Sequence, residues 1–133
     1  MIGNMIAEEK AEENYDDIRS DYLASKESEG YKIVLPKRNE LQIDVDTEEQ
    51  FKAFAAMYIR LAKVCDSELS YKDKVSESGG WHRHITVTLP FNVTQTERVA
   101  LQAILSSDPV RELLSFIRIQ RGDKRPTLFL EKD

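Results

Sequence analysis

A chain of 133 residues, 41% hydrophobic and 32% charged, has the size of one domain and enough apolar material for a modest core. No run approaches the ~20 apolar residues of a membrane span, and Cys65, the only cysteine, excludes an internal disulfide and a cysteine-based zinc site. The net charge of −5 is uneven: residues 1–30 carry nine acids against three bases and the rest fifteen against sixteen, so the body lacks the basic surplus that by itself marks a nucleic-acid binder.

Glu8, Glu9, Glu12 and Glu13 stand where a secretory leader needs an apolar run, so the cytoplasm is the expected compartment. Residues 1–29 read as an acidic helical arm with a weak apolar stripe, Tyr15, Ile18, Tyr22 and Leu23, and residues 30–133 as the folded domain. Tyr31–Leu35 and Glu40–Asp46 read as two strands joined as a hairpin through Pro36-Lys37-Arg38-Asn39. Thr47-Glu48-Glu49-Gln50 is a capping box that opens a helix, with Phe51, Phe54, Ala55, Tyr58, Leu61, Ala62 and Cys65 on one face. Leu69–Val75 and Trp81–Leu89 read as strands around a Gly-containing turn. Thr94-Gln95-Thr96-Glu97 is a second capping box, and its helix runs to about Ser106. Asp108 as cap and Pro109 in the first turn restart a helix whose expected buried stripe is Val110, Leu113, Leu114 and Ile117. Thr127–Glu131 reads as a closing strand. The expected class is α+β, an antiparallel sheet of RNA-recognition-motif or ferredoxin-like order with helices on one face.

Strand alternation divides the chemistry between two faces. Leu41, Ile43 and Val45 share the apolar face with Trp81, Ile85, Val87 and Leu89, and Arg83 falls on the same side. Gln42, Asp44, Asp46, His82, His84, Thr86 and Thr88 share the other, which helices on one side would leave open. Carboxylates at i and i+2 of one strand can bracket a hard cation such as Mg²⁺ or Mn²⁺. By itself Asp-x-Asp is common, and an exposed edge strand with solvated acids explains it more simply. Ser78-Gly79-Gly80 before a strand lets backbone approach a phosphate, with His82 two residues on as a phosphate donor, although Gly-Gly in a hairpin needs no ligand.

Together, Ile43-Asp44-Val45-Asp46 and Ser78-Gly79-Gly80-Trp81-His82 resemble two motifs of the archaeo-eukaryotic primase superfamily, including the primase-polymerases of plasmids and phages. Leu130-Glu131 is similar to the third, a hydrophobic residue followed by an acid on a later strand. The resemblance covers about residues 40–131. It implies that Asp44, Asp46 and Glu131 bind catalytic Mg²⁺ or Mn²⁺, that His82 touches the incoming nucleotide, and that Ser78, Gly79, Gly80, His82 and His84 form the phosphate-binding side. The implied partners are a nucleoside triphosphate, single-stranded or primed DNA and a replication protein, with no membrane, and the implied activity is nucleotidyl transfer by a DNA primase or polymerase. Full members of that family are larger, with an additional N-terminal α/β unit and often a zinc module, neither of which is expected within these 133 residues. The stretches Glu97–Gln102 and Ser107-Asp108-Pro109-Val110-Arg111-Glu112 are also similar to small phage proteins, with no function implied.

Two other readings compete. A non-catalytic nucleic-acid- or protein-binding module on the same fold would use the open sheet, with Phe129 exposed and Arg118, Arg121, Lys124 and Arg125 near phosphates. His82-Arg83-His84 resembles the His-x-His metal pair of rolling-circle (HUH) endonucleases, but the middle residue is charged and residues 72–133 hold no tyrosine nucleophile.

Overall fold

The computed structural model describes residues 18–66, 68–75 and 80–132. The chain divides into two compact units, residues 1–34 with 130–133, and residues 35–129.

In the first unit, residues 18–28 are helical (the described part of α1) and lead into β1, Tyr31–Val34. Leu23 is buried, while Ile18 and Tyr22 from the expected stripe are exposed. Tyr15 of that stripe and most of the acidic arm lie outside the described residues. Gly30 turns the chain from α1 into β1 at φ +96, a conformation open to glycine. β1 pairs with β5, Phe129–Lys132, in a two-stranded sheet. The ammonium groups of Lys26 and Lys132 lie 5.2 and 5.1 Å from the Tyr31 ring centre. The expected hairpin of Tyr31–Leu35 with Glu40–Asp46 is therefore corrected: the two strands belong to different sheets. Short turns favour local pairing but do not dictate it.

The second unit holds β2 (Glu40–Val45), α2 (Glu48–Val64), β3 (Ser70–Val75), β4 (Arg83–Thr88), α3 (Gln95–Ile104) and α4 (Pro109–Gln120). Its sheet has the order β2-β4-β3, with β4 antiparallel to both neighbours. This is an α+β fold, consistent with a ferredoxin-like arrangement in which the third strand lies between the first two. Leu41, Ile43 and Val45 face Ile85, Val87 and Leu89 across one surface, and Phe54 of α2 and Leu105 after α3 close it. Both capping boxes form as the sequence expects: Thr47 with Gln50, and Thr94 with Glu97, each exchange two hydrogen bonds between side chain and backbone. These caps fix where α2 and α3 leave the strands before them.

Three expectations about faces are corrected. The polar face of β2 is not open: Gln42 is 1% exposed. β2 is an edge strand, and helix side chains cover that edge, as described below. On α4 three of the four residues of the expected buried stripe are turned outward, Val110 62%, Leu113 58% and Leu114 41% exposed, with Ile117 half-buried, while Glu112 and Ser115 are buried. The hydrogen-bonding needs of the β2 edge, rather than apolar periodicity, set the rotation of this helix. Trp81, expected in the core, sits at its rim against Phe51, ring centres 5.9 Å apart, with the Arg83 guanidinium 4.8 Å from each ring.

Candidate functional site

The site is built on the outer edge of β2. Its inner edge is paired with β4, so the N–H and C=O groups of Glu40, Gln42 and Asp44 point outward and need partners. Side chains from α3, α4 and the link between them supply these. Gln102 Oε1 accepts from the Gln42 N–H at 2.8 Å, and Ser107 Oγ accepts from the Asp44 N–H at 2.9 Å. Arg98 donates to the carbonyls of Glu40 and Lys37, and Arg111 donates to the carbonyl of Gln42 at 2.8 Å. The Asp108 N–H donates to the Asp44 carbonyl at 2.8 Å. Glu112 gathers this set: it accepts from Gln102 at 2.6 Å, from the Ser107 hydroxyl at 2.7 Å and from Arg111 at 2.7 Å. Arg111 also reaches the Leu128 carbonyl and lies over the Phe129 ring.

This seal brings a third acid to the Asp-x-Asp pair. Carboxylate oxygens of Asp44, Asp46 and Asp108 lie within 4.8 Å of one another. Asp108 is the N-cap residue of α4 yet makes no side-chain capping bond, unlike Thr47 and Thr94. Its carboxylate goes to the cluster instead. Burial, then Asp46 and Asp108, push the Asp44 carboxyl up to about 6, against the partial relief given by Arg111 and His82. Three hard oxygen donors so close repel one another, and a divalent cation would remove that repulsion. The three carboxylates could together hold a metal ion.

His82 Nδ1 lies 2.9 Å from Asp46 Oδ1, so the residues of the two sequence motifs meet here. Asp46 is itself fixed by its N–H, which donates to Gln50 Oε1 at 2.8 Å, the side chain that closes the α2 capping box. His84 is the cross-strand partner of Asp44, and its ring stacks on Phe129 with centres 4.0 Å apart and planes 2° apart. Phe129, expected to be exposed, is buried by this stack. Gly80 sits in the turn before β4 at φ +68 with open space where a side chain would be, so the backbone conformation alone favours glycine there. Ser78 and Gly79 lie outside the described residues. Glu131, the third ligand implied by the resemblance, lies in β5 and belongs to the first unit, whereas Asp44, Asp46 and Asp108 belong to the second.

Sequence reasoning read Asp108 as a helix cap and met Ser107, Arg111 and Glu112 only within a stretch similar to small phage proteins, with no role implied. The available signal was the stretch Ser107–Glu112 itself, which holds a small polar residue, two acids and an arginine around a helix start. Among the described residues no helix is long and apolar enough to cross a membrane. No family model matches the chain, nor does any curated protein or solved structure.

Proposed function

We propose that the chain is a reduced domain of primase-polymerase type, from a phage or other mobile element, that binds a nucleoside triphosphate with Mg²⁺ or Mn²⁺ and acts on single-stranded or primed DNA. The observation that carries this reading is the meeting of Asp44, Asp46 and Asp108 within 4.8 Å, with His82 hydrogen-bonded to Asp46. Asp44, Asp46 and Asp108 would hold the cation, which when bound neutralises phosphate charge and polarises an attacking hydroxyl. Asp46 orients His82 through Nδ1, so Nε2 is the ring nitrogen available to a phosphate oxygen. The antiparallel ladder of β2 with β4 holds Asp44 opposite His84, and Arg111 braces β2 through the Gln42 carbonyl. Asp108 takes the place that the resemblance gives to Glu131.

The test is calorimetric titration of a nucleoside triphosphate, with and without Mn²⁺, into wild type and the Asp44→Ala, Asp46→Ala double variant. Mn²⁺-dependent binding by wild type, lost in a variant that remains folded, is the expected result and leads to primer-synthesis assays. Wild type that does not bind would overturn the reading. A second reading, a non-catalytic protein-binding module on the same fold, draws on the outward apolar stripe of α4.

A further inference from the structure

The amphipathic pattern of α4 is reversed relative to the body it packs on. Glu112 and Ser115 face inward, and Glu112 is committed to the β2 edge through Gln102, Ser107 and Arg111. The apolar residues Val110, Leu113 and Leu114 face outward, and Phe116 beside them is also exposed. Next to this ridge an apolar groove of about 310 Å³ runs between α3 and α4, lined by Val99, Ala100, Ala103, Leu113 and Phe116. Ile104, exposed at the end of α3, extends the surface. A helix that keeps polar groups inside and apolar groups outside exposes surface that water disfavours, and such a patch marks an interaction site.

We propose that this face pairs with the same face of a second copy of the chain, α4 against α4 and antiparallel, about a twofold axis. The spacing of the stripe fits this occupant. Val110, Leu113, Leu114 and the half-buried Ile117 are separated by three, one and three residues, so the stripe reads the same in both directions, as a twofold helix pair requires. Antiparallel pairing sets Val110 against Ile117 of the second copy and Leu113 against Leu114 of the second copy, and the twofold repeats each contact. That is the self-complementarity an isologous interface requires. The ends of α4 agree with it. Only the antiparallel arrangement sets the positive N-terminal end of each α4 dipole beside the negative C-terminal end of the other. Size agrees as well. The exposed parts of Ile104, Val110, Leu113, Leu114 and Phe116 amount to roughly 400 Å² per copy, and two such patches with the groove residues reach about 1,000 Å², the lower bound of a specific interface. The ridge on α4 and the groove beside it give each copy both a protruding and a receiving surface.

Sedimentation velocity of the wild type from the low-micromolar to the hundred-micromolar range tests this, alongside the Leu113→Glu, Leu114→Glu double variant and an Ile59→Glu control on the exposed face of α2. Leu113 and Leu114 are exposed in the single chain, so both variants should keep the wild-type circular dichroism. The expected result is a concentration-dependent dimer for wild type and Ile59→Glu, with the dimer dissociation constant raised at least a hundredfold in the double variant. A wild type that stays monomeric at the highest concentration overturns the proposal and gives the face to a different protein. A dimer that survives the double substitution also overturns it, because the interface then lies elsewhere.

Discussion

A single buried acid, Glu112, and a cluster of three, Asp44, Asp46 and Asp108, lie beside the same β2 edge, and their surroundings are opposite. Glu112 is 3% exposed and fully answered: Gln102, Ser107 and Arg111 all donate to it. Asp44, Asp46 and Asp108 face one another, and the help they receive is partial: Asp46 has His82, and Arg111 only moderates Asp44. The first is the arrangement by which a fold tolerates a buried charge. The second leaves charge only partly compensated at half-buried positions, which lowers stability unless a cation enters. The link between them is short. Ser107 accepts from the Asp44 N–H and donates to Glu112, and the N–H of Asp108 donates to the Asp44 carbonyl. The stabilising network thus holds the repelling one in place.

The contrast predicts effects of opposite sign. Glu112→Ala leaves Arg111 without its carboxylate and Gln102 and Ser107 without their acceptor. We expect a loss of about 3–5 kcal/mol in urea unfolding at pH 7. A loss under 1 kcal/mol would mean that the β2 edge does not depend on this seal.

Asp44→Asn should do the reverse, raising the stability of the metal-free protein at pH 7 by about 1–2 kcal/mol while removing its stabilisation by Mn²⁺. The pH dependence follows from the same group. The Asp44 carboxyl is pushed up to about 6 from an ordinary value of 3.8, so the folded state holds the proton longer than the unfolded chain does. The contribution of Asp44 to stability is therefore greatest below pH ~4 and declines as pH rises to about 6. A two-unit shift corresponds to about 3 kcal/mol, and the partial exposure of Asp44 reduces this to roughly 1–2 kcal/mol. The difference in unfolding free energy between wild type and Asp44→Asn, measured from pH 4 to pH 7, should grow with pH in favour of the variant. A flat difference would show that burial and the neighbouring acids do not raise the Asp44 carboxyl.

The smallest effect on stability belongs to His82. It is exposed, so His82→Ala should change unfolding by less than about 0.5 kcal/mol. Its effect should appear instead as several-fold weaker binding of a nucleoside triphosphate with Mn²⁺, read by calorimetry. Equal affinity would remove His82 from the site.

The legible parts of this molecule were those governed by local rules. Alternation placed Leu41, Ile43, Val45, Ile85, Val87 and Leu89 in the core, and two Thr-led capping boxes fixed α2 and α3. The motifs around Asp46 and His82 lie 36 positions apart, and the structure brings them to 2.9 Å. Two things were not legible, and both depend on which strand lies at an edge. β1 pairs with β5 rather than with β2, and the β2 edge then takes its partners from α3 and α4. A polar edge recruits Glu112 and Arg111 inward and so turns Val110, Leu113 and Leu114 outward, against their periodicity. Asp108 was hidden for a related reason. An Asp before Pro109 looks like a cap, and nothing local shows that its carboxylate serves Asp44 and Asp46 instead.

The central claim is that Asp108 completes a cation site with Asp44 and Asp46. Calorimetric titration of Mn²⁺ alone into wild type, Asp108→Asn and Glu131→Gln tests it most directly. The account predicts binding by wild type and Glu131→Gln and a loss of at least tenfold in affinity for Asp108→Asn. Unchanged affinity in Asp108→Asn, with the loss in Glu131→Gln instead, would contradict it.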